Sequence, residues 1–232
     1  MRFLSERHRQ PEIMDEPDMA GKRHAQALRG LERINAWSGS ARSLWPPLAD
    51  LAGSGPIRAL DVATGAGDVP IRLWQKARHH GIALEIAGCD RSASALEHAR
   101  QRALAAKADV HFFQWDALQA GVPSGYDAVM SSLFLHHLAD GDAVRFLANM
   151  AQAAGRLVLV NDLRRCLGGW LLAYAGTRLL SRSPVVHTDG LRSVRAAFTA
   201  DEAARLAERA GLTGATIMRR WPCRFLLTWR RP

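Results

Sequence analysis

Four aspartates in this chain could act together, because each stands at the end of an apolar run that predicts a β-strand. They are Asp61, Asp90, Asp116 and Asp162. The stretches between these runs have helical spacing, which is typical of a parallel sheet covered by helices, and such sheets bind ligands at the carboxyl ends of their strands. Carboxylates accept hydrogen bonds from hydroxyl groups and attract cations. The sequence therefore predicts an acidic binding cleft along one edge of a sheet.

Three histidines are candidates for proton transfer near neutral pH, where an imidazole changes its charge. His136 and His137 follow the predicted fourth strand, and His187 stands two residues before Asp189, whose carboxylate would raise the basicity of the ring. We weigh these two locations equally as the site of a general base. Asp162 is a further candidate, either to bind a substrate hydroxyl or to cap the following helix.

A glycine loop joins the first predicted strand to the next helix, in the sequence Asp61-Val62-Ala63-Thr64-Gly65-Ala66-Gly67-Asp68. Its two glycines allow a tight turn and a close approach to a ligand, and Asp68 is expected to cap the helix. A dinucleotide-binding loop would carry a third glycine where Pro70 stands, and a phosphate-binding loop would end in Gly-Lys-Ser/Thr, which is absent. Two carboxylates beside such a loop disfavour a pyrophosphate and favour a cationic ligand.

The elements that position these residues alternate along the chain, which predicts an α/β, Rossmann-like, mostly parallel sheet. Strands are predicted at 57–62, 84–89, 110–113, 126–131, 156–160, 215–220 and 223–229, and helices from 69 to about 79–81 and at 94–105, 142–153 and 199–211. Ser94 and Thr199 are each expected to open a helix with a capping box. The last two strands are expected to form an antiparallel hairpin.

We expect a single domain in four parts. Residues 1–55 are an N-terminal arm and helical cover, 56–165 the cofactor-binding core, 166–198 a helical insertion, and 199–232 the final helix and hairpin.

The cover and the insertion supply the candidate substrate contacts. A helix at about 19–37 places His24 and Asn35 on one face with two leucines, where they are either satisfied polar groups or ligand contacts. A second helix at about 41–51 is expected to break at its adjacent prolines. In the insertion, Trp170 and Tyr174 share an apolar stripe, which suits a core helix or a lid. Asp189 completes the predicted substrate set.

The glycine loop and the aspartates after the strands resemble class I S-adenosylmethionine-dependent methyltransferases, and the loop is closest to those of ubiquinone- and menaquinone-pathway enzymes. The resemblance implies a seven-stranded sheet and S-adenosylmethionine as cofactor. In that family the carboxylate after the second strand binds both ribose hydroxyls, and the acidic residue after the third lies at the adenine amino group; Asp90 and Asp116 hold these positions here. The expected cofactor-binding residues are Asp61, Thr64, Gly65, Gly67, Asp68, Asp90, Arg91, Asp116, Ala117 and Ser131.

Composition limits the partners. The chain has 232 residues, three scattered cysteines, no apolar run of membrane-spanning length and a net charge of +9. We expect a cytoplasmic protein without a disulfide framework or a metal site. Nucleic acid is disfavoured because the arginines are spread along the chain and, apart from its last stretch, lack interleaved aromatics. Contact with a membrane surface stays open because arginines flank the stripe of the insertion. Nothing in the sequence indicates the oligomeric state.

These observations favour methyl transfer to a small hydrophobic acceptor, most simply O-methylation of a phenolic or enolic hydroxyl in a polyketide, alkylphenol or quinol. The apolar insertion indicates the character of the acceptor. Three alternatives remain: C-methylation of a quinone-pathway ring, methylation of RNA, and a cofactor-binding module without catalysis.

Overall fold

The computed structural model describes residues 4–13 and 39–232. The strands in these ranges are β1 (Ile57–Val62), β2 (Leu84–Asp90), β3 (Val110–Gln114), β4 (Tyr126–Ser132), β5 (Ala154–Leu163), β6 (Thr216–Arg220) and β7 (Arg224–Arg230). The α-helices are α1 (Ser40–Ala49), α2 (Asp68–His79), α3 (Ala93–Ala105), α4 (Asp140–Ala153), α5 (Leu167–Leu180), α6 (Pro184–Ala196) and α7 (Ala200–Arg209). The predicted helix at 19–37, with His24 and Asn35, falls outside the described residues.

The strands form one sheet in the order β3-β2-β1-β4-β5-β7-β6. The first five pair in parallel, and β7 runs antiparallel to both β5 and β6. The predicted Rossmann-like sheet, with its antiparallel C-terminal hairpin, is confirmed. The strand order reverses between β1 and β4, and the crevice at such a point is where open α/β sheets bind their ligands.

Helices cover both faces of the sheet because side chains along each strand alternate between two apolar layers. On the α4 face, Val62 and Val160 pack with Phe146 of α4. On the α1 face, Ala59 packs with Leu44 of α1. Burying a side chain of the size of Leu or Phe contributes about 1.5–3 kcal/mol, so the two layers fix the register of every central strand.

The helix starts differ from the predicted ones at two places. Gly67, with φ +72°, is the N-cap of α2, so Asp68 lies in the first turn and is not the cap. Ser92 caps α3 by accepting a hydrogen bond from the Ala95 amide, where Ser94 was predicted. In contrast, the capping box of Thr199 and Glu202 that opens α7 is confirmed.

The predicted break in the second helix is wrong, because α1 continues through Pro46 and Pro47. Each proline removes one backbone donor, but Leu44 and Leu48 are fully buried on the α1 face. The packing of these two leucines therefore compensates for the backbone hydrogen bonds that the prolines remove.

The insertion after β5 contains two helices, of which the sequence predicted only the first. Pro184 opens α6 at a position where its missing N–H is harmless. The helices approach closely at Gly190 of α6, where a Cβ would lie 2.6 Å from Thr177 Cγ2 of α5. The two helices thus form a tight pair over the end of β5.

Residues 4–13 are anchored against the turn that follows β4. The Arg7 guanidinium donates to the carbonyl oxygens of His136 at 2.8 Å, Leu138 at 2.7 Å and Ala196 at 2.6 Å. The Ile13 amide donates to Asp189 Oδ1 at 2.9 Å. These contacts bring Glu12, between the two anchors, to the same end of the sheet as the turn.

Replacing Gly67 with alanine should lower the free energy of unfolding by about 2–4 kcal/mol, because the new Cβ is strained at positive φ and crowds the core. It would lie 2.7 Å from Phe112 Cζ and 2.9 Å from Ala99 Cβ. Gly65→Ala is the matched control, since its φ is +54° but nothing lies within 4 Å of the added Cβ. Denaturant unfolding of both variants measures the difference, and equal losses would contradict this packing role.

Candidate active site

Strained backbone is concentrated at the carboxyl edge of the sheet. Among the described residues other than glycine, positive φ occurs at Ala63 after β1, Leu133 after β4 and Cys223 before β7, with Lys107 the remaining case. Such conformations are costly and tend to occur at functional sites. The positive φ values therefore lie at the same edge of the sheet where the four aspartates predict a binding cleft.

The glycine loop is held by the two carboxylates nearest to it. Thr64 Oγ1 donates to Asp61 Oδ2 at 2.6 Å, and the Gly65 amide donates to Asp90 Oδ2 at 2.9 Å. Burial raises the pKa of Asp61 to about 7, with the Thr64 hydroxyl acting in the opposite direction. A cation near Asp61 would favour its charged form.

Asp90 is half-buried at the end of β2 and faces the space beside the loop. Its second oxygen, Oδ1, accepts from the Ser92 amide at 2.9 Å. A carboxylate offers about four acceptor positions, so both oxygens keep capacity for further donors such as paired hydroxyls. Arg91 beside it is exposed, and its carbonyl accepts a hydrogen bond from Gln114.

The other predicted cofactor residues lie on either side of this centre. Asp116 follows β3 and accepts from the Leu118 and Gln119 amides through Oδ1, so it closes a turn. Ala117 is buried in the core of the α4 face. Ser131 is fully buried, and its hydroxyl donates to the Val62 carbonyl at 2.9 Å, which joins β4 to β1.

A buried histidine–carboxylate pair lies at the ends of β4 and β5. His136 Nδ1 and Asp162 Oδ1 are 2.6 Å apart, and the His136 amide donates to Asp162 Oδ2 at 3.1 Å. A carboxylate only accepts, so Nδ1 carries a proton and the neutral ring presents the lone pair of Nε2. Because β5 extends through Leu163, Asp162 lies within the strand and does not cap a helix. The hydrogen bond to Asp162 fixes the orientation of the His136 ring, and the negative charge of Asp162 stabilises the protonated ring. His136 is therefore suited to act as a base.

The charge of Asp162 controls the pKa of His136. Burial lowers this pKa, but the charge and hydrogen bond of Asp162, together with the charge of Glu12, outweigh burial and hold it above 6.5. Burial alone would raise the pKa of Asp162, yet its interaction with His136 keeps it below 3.8. In contrast, burial and the neighbouring His136 lower the pKa of His137 to about 3, so the second ring is neutral at physiological pH.

Glu12 joins the two histidines. Its Oε1 lies 3.9 Å from His136 Nε2, and ligand-type atoms of Glu12, His136 and His137 all lie within 4.8 Å of one another. The sequence predicted no metal site, and this is the one group of potential metal ligands that residues 4–13 and 39–232 bring together. Glu12 also accepts a hydrogen bond from the Ser193 hydroxyl of α6.

An apolar cavity of about 240 Å³ opens beside His136. Strand ends supply Leu133 and Leu163, while α5 and α6 supply most of the wall. The lining residues from these helices are Gly169, Leu172, Ala173, Gly176, Thr177, Leu180, Val186, Gly190, Ser193 and Val194. The polar groups include Glu12, His136, His137 and Arg224. Few polar groups in an apolar cleft are typical of small-molecule sites.

Several predicted residues lie elsewhere. His187 Nε2 bonds the Ser181 carbonyl at 2.8 Å, so this ring links α6 to the end of α5, and it does not line the cavity. Trp170 and Tyr174 stack on each other at 5.8 Å, and Tyr174 is 45% exposed. The cavity meets the opposite, smaller-residue face of α5, which an apolar stripe of large side chains does not reveal. Asp189 is buried and binds the Ile13 amide.

Two groups at this edge are not indicated by any sequence pattern. Glu12 is 124 positions from His136, and only the docking of residues 4–13 brings them together. Arg224 opens β7 as one of many arginines, and its burial depends on the antiparallel pairing of β7 with β5.

Comparison with known proteins identifies the core. Residues 59–155 match the family described as "Methyltransferase domain". The matched segment is less than half of the 232-residue chain. It spans the strands from β1 to the start of β5, including the glycine loop, Asp90 and the turn with His136.

Two solved structures share the fold of the methyltransferase domain and its flanking elements. One is the S-adenosylmethionine-dependent methyltransferase SibL, with a TM-score of 0.69 and 20% identity over 94% of this chain and 60% of that one. The other is magnesium protoporphyrin IX methyltransferase from Synechocystis with bound S-adenosylhomocysteine, with a TM-score of 0.60 and 17% identity over 94% and 91% of the two chains.

A curated relative is similar over the same core. Demethylmenaquinone methyltransferase from Deinococcus radiodurans is 36% identical over 116 residues, which are 48% of this chain. The chain thus spans about half the length of this relative, 46%. Within the described residues of our chain, no helix is both long and apolar enough to cross a bilayer.

The histidine–carboxylate pair predicts a specific titration. In Asp162→Asn, the pKa of His136 should fall, because the charge and hydrogen bond of Asp162 no longer oppose burial and only Glu12 still acts to raise this pKa. NMR titration of the imidazole measures the change. His137 serves as the internal control and should stay flat between pH 5 and 8 in both proteins.

The same pair sets the pH range of its stabilising effect. It should stabilise the native state above the depressed pKa of Asp162 and below the raised pKa of His136, and lose this effect on either side. Removing one partner of a buried pair costs about 3–5 kcal/mol, so the variant should be less stable than the wild type mainly within that range. A His136 titration unchanged in Asp162→Asn would contradict the assignment.

Proposed function

We propose that this chain is an S-adenosylmethionine-dependent methyltransferase that methylates a hydroxyl group of a small, hydrophobic phenolic or enolic acceptor. The observation that carries the proposal is the buried pair of His136 and Asp162, which opens onto an apolar cavity at the sheet edge that bears the glycine loop. The methyltransferase domain match supports the reaction type.

The loop and the carboxylates suit the cofactor. Asp90 can accept from both ribose hydroxyls while it keeps its backbone contacts. Gly65, which has no atoms near its missing Cβ, leaves room for the methionine part. Asp61, buried and partly unpaired, would take its full charge beside the ammonium of the cofactor. The sulfonium supplies the reactive methyl group when the cofactor is bound.

The acceptor side requires positioning and a base. With the cofactor bound, the sulfonium would supply the methyl group to the acceptor oxygen, and its sulfur would keep the electron pair of the broken bond. The hydroxyl proton passes to His136 Nε2, and Asp162 stabilises the resulting imidazolium. Correct alignment of the two reactants can supply about 7–11 kcal/mol, and the cavity wall excludes water from the transfer.

C-methylation of a quinol ring is the second candidate, because the curated relative is a demethylmenaquinone methyltransferase. The same base would then remove the hydroxyl proton and make the ring carbon nucleophilic. NMR of the methylated product separates the two reactions, since an O-methyl and a ring methyl have distinct shifts.

RNA methylation finds less support in the structure. Of the C-terminal arginines, Arg224 is buried, Arg230 pairs with Asp50 at 3.4 Å, and Arg231 donates to the carbonyls of Ala151 and Ala154. These side chains are already engaged in burial, an ion pair or hydrogen bonds within the protein. Cofactor binding without turnover on a panel of phenols and quinols would instead favour a non-catalytic module.

Replacing His136 with alanine should reduce kcat by roughly 10²–10⁴-fold, because the acceptor loses its base. The affinity for S-adenosylhomocysteine should stay the same, and the wild-type rate should rise with pH through a pKa above 6.5. His187→Ala is the matched control and should keep the wild-type rate. A labelled-methyl transfer assay measures both; equal rates for wild type and His136→Ala would remove the base assignment.

Replacing Asp90 with alanine should weaken binding of S-adenosylhomocysteine by roughly 10–100-fold, since hydrogen bonds to a charged carboxylate are worth about 1.5–3 kcal/mol each. Asp109→Ala is the control, because Asp109 is exposed and precedes β3 at the opposite edge of the sheet. Isothermal titration calorimetry compares the two, and an unchanged affinity of the Asp90 variant would contradict the ribose contact.

A further inference from the structure

Helix α5 has apolar residues on two opposite faces, and one of these faces is exposed. Leu167, Leu171 and Tyr174 recur at helical spacing on the outer face, where Leu171 is 52% exposed. On the inner face, Leu172 and Gly176 line the cavity. The outer face of a helix in a globular protein is normally polar, because it contacts water. The outer face of α5 therefore indicates a partner that offers an apolar environment.

An exposed tryptophan lies next to this helix. Trp221, in the turn between β6 and β7, is 74% exposed. The turn packs against the start of α5, since the Arg164 amide donates to the Cys223 carbonyl at 2.9 Å and a Cβ on Gly168 would lie 3.5 Å from Cys223 Sγ. Tryptophan and tyrosine are enriched where an apolar layer meets water. The outer face of α5 and Trp221 together are called the docking face below.

The charge around the docking face has one sign. Residues 163–188, which contain α5, hold four arginines and no acidic residue, and residues 209–232, which contain the turn, hold six arginines and no acidic residue. Arg178 and Arg182 are exposed at the end of α5. The Arg178 guanidinium lies 3.7 Å from the centroid of the Tyr174 ring and donates to the Tyr174 carbonyl at 3.0 Å, so its charge lies on the docking face. This charge favours an anionic partner.

A partner of the docking face must combine an apolar layer with a negatively charged surface. A bilayer with acidic phospholipids has both, because a helix at its surface buries apolar side chains below the headgroups and places arginines among the phosphates. We propose that the docking face of this protein binds the surface of an anionic phospholipid bilayer.

Two other partners match the docking face less well. A nucleic acid would pair with Arg178 and Arg182 but would leave Leu167 and Leu171 in water. A second copy of this chain would cover the leucines, but a symmetric contact would bring two basic faces together, and like charges repel.

The position of the cavity gives docking a consequence for the acceptor. The inner face of α5 and Pro222 of the turn line the cavity, so only this helix and turn separate it from the docking face. Phenols and quinols with alkyl chains partition into bilayers, because burying each CH₂ group is favourable. Resting on the proposed function, the acceptor is thus one that enters the cavity from the bilayer. Docking itself does not depend on the reaction.

Co-sedimentation with vesicles tests docking, with the full chain and without cofactor or acceptor. The wild type should bind vesicles of equal parts phosphatidylglycerol and phosphatidylcholine at least roughly tenfold more tightly than vesicles of phosphatidylcholine, since each arginine near an anionic surface contributes about fivefold. Leu171→Glu should weaken binding to the mixed vesicles by roughly tenfold or more, because it removes apolar area and adds a repelled charge. Trp221→Ala should also weaken it.

Two variants far from the docking face are the matched controls. Leu104 is 81% exposed at the end of α3, which packs on β3 at the opposite end of the sheet from β6, so Leu104→Glu should bind as the wild type does. Arg178→Gln should weaken binding about fivefold. Arg145→Gln removes the same charge from the exposed surface of α4 and should have less than half of that effect.

Several outcomes would overturn the proposal: no binding to mixed vesicles, equal binding to both kinds of vesicle, or equal losses in Leu171→Glu and Leu104→Glu. It is also overturned if Leu171→Glu keeps vesicle binding but loses self-association in analytical ultracentrifugation, or loses binding to single-stranded RNA. Thermal melting checks that each variant folds, and Trp221→Ala and Arg178→Gln decide if Leu171→Glu does not.

The failure of docking and the failure of the proposed function are distinguishable. A protein that binds mixed vesicles but methylates no phenol or quinol refutes the proposed function and leaves docking intact. A protein that methylates such an acceptor but does not bind mixed vesicles refutes docking alone.

Discussion

The parallel pairing of β1, β2, β4 and β5 determines where everything else in this protein lies. Each right-handed crossover returns the chain to the same side, so the strands all end at one edge. Groups that are distant in sequence, such as Asp61 and Asp162, lie at the same edge of the sheet only for this reason. Where the parallel strands end, the backbone no longer pairs with a neighbouring strand. This accounts for the positive φ of Ala63 and Leu133, which follow β1 and β4.

The sheet also separates two kinds of charge. On the α4 face, Asp162 and His136 form a pair whose members satisfy each other. On the α1 face, Asp61 and Arg224 are buried with unpaired atoms among the described residues. In the proposed function, the first face supplies proton transfer, and Asp61 on the second lies beside the ammonium of the cofactor.

Much of the fold could be predicted from the sequence, because its signals are local. Apolar runs that end in aspartate identified the strands, and the glycine pair identified the tight turn after β1. Errors occurred where tertiary contacts outweigh local preference. Buried Leu44 and Leu48 keep α1 intact through two prolines, and Ser92, not Ser94, caps α3.

The candidate site was less predictable, because part of it depends on long-range docking. Asp61, Asp90 and His136 follow from strand ends. In contrast, Glu12 reaches His136 through contacts of Arg7, which no local pattern reveals, and Arg224 depends on strand pairing. The apolar stripe with Trp170 and Tyr174 correctly predicted helix α5, but the opposite face of this helix lines the cavity.

The most direct test of the central claim is a crystal structure of the protein with S-adenosylhomocysteine. We expect the ribose hydroxyls to lie within hydrogen-bond distance of Asp90 and the sulfur to face the cavity beside His136. A nucleoside bound elsewhere, or a sulfur turned away from that cavity, would contradict this claim.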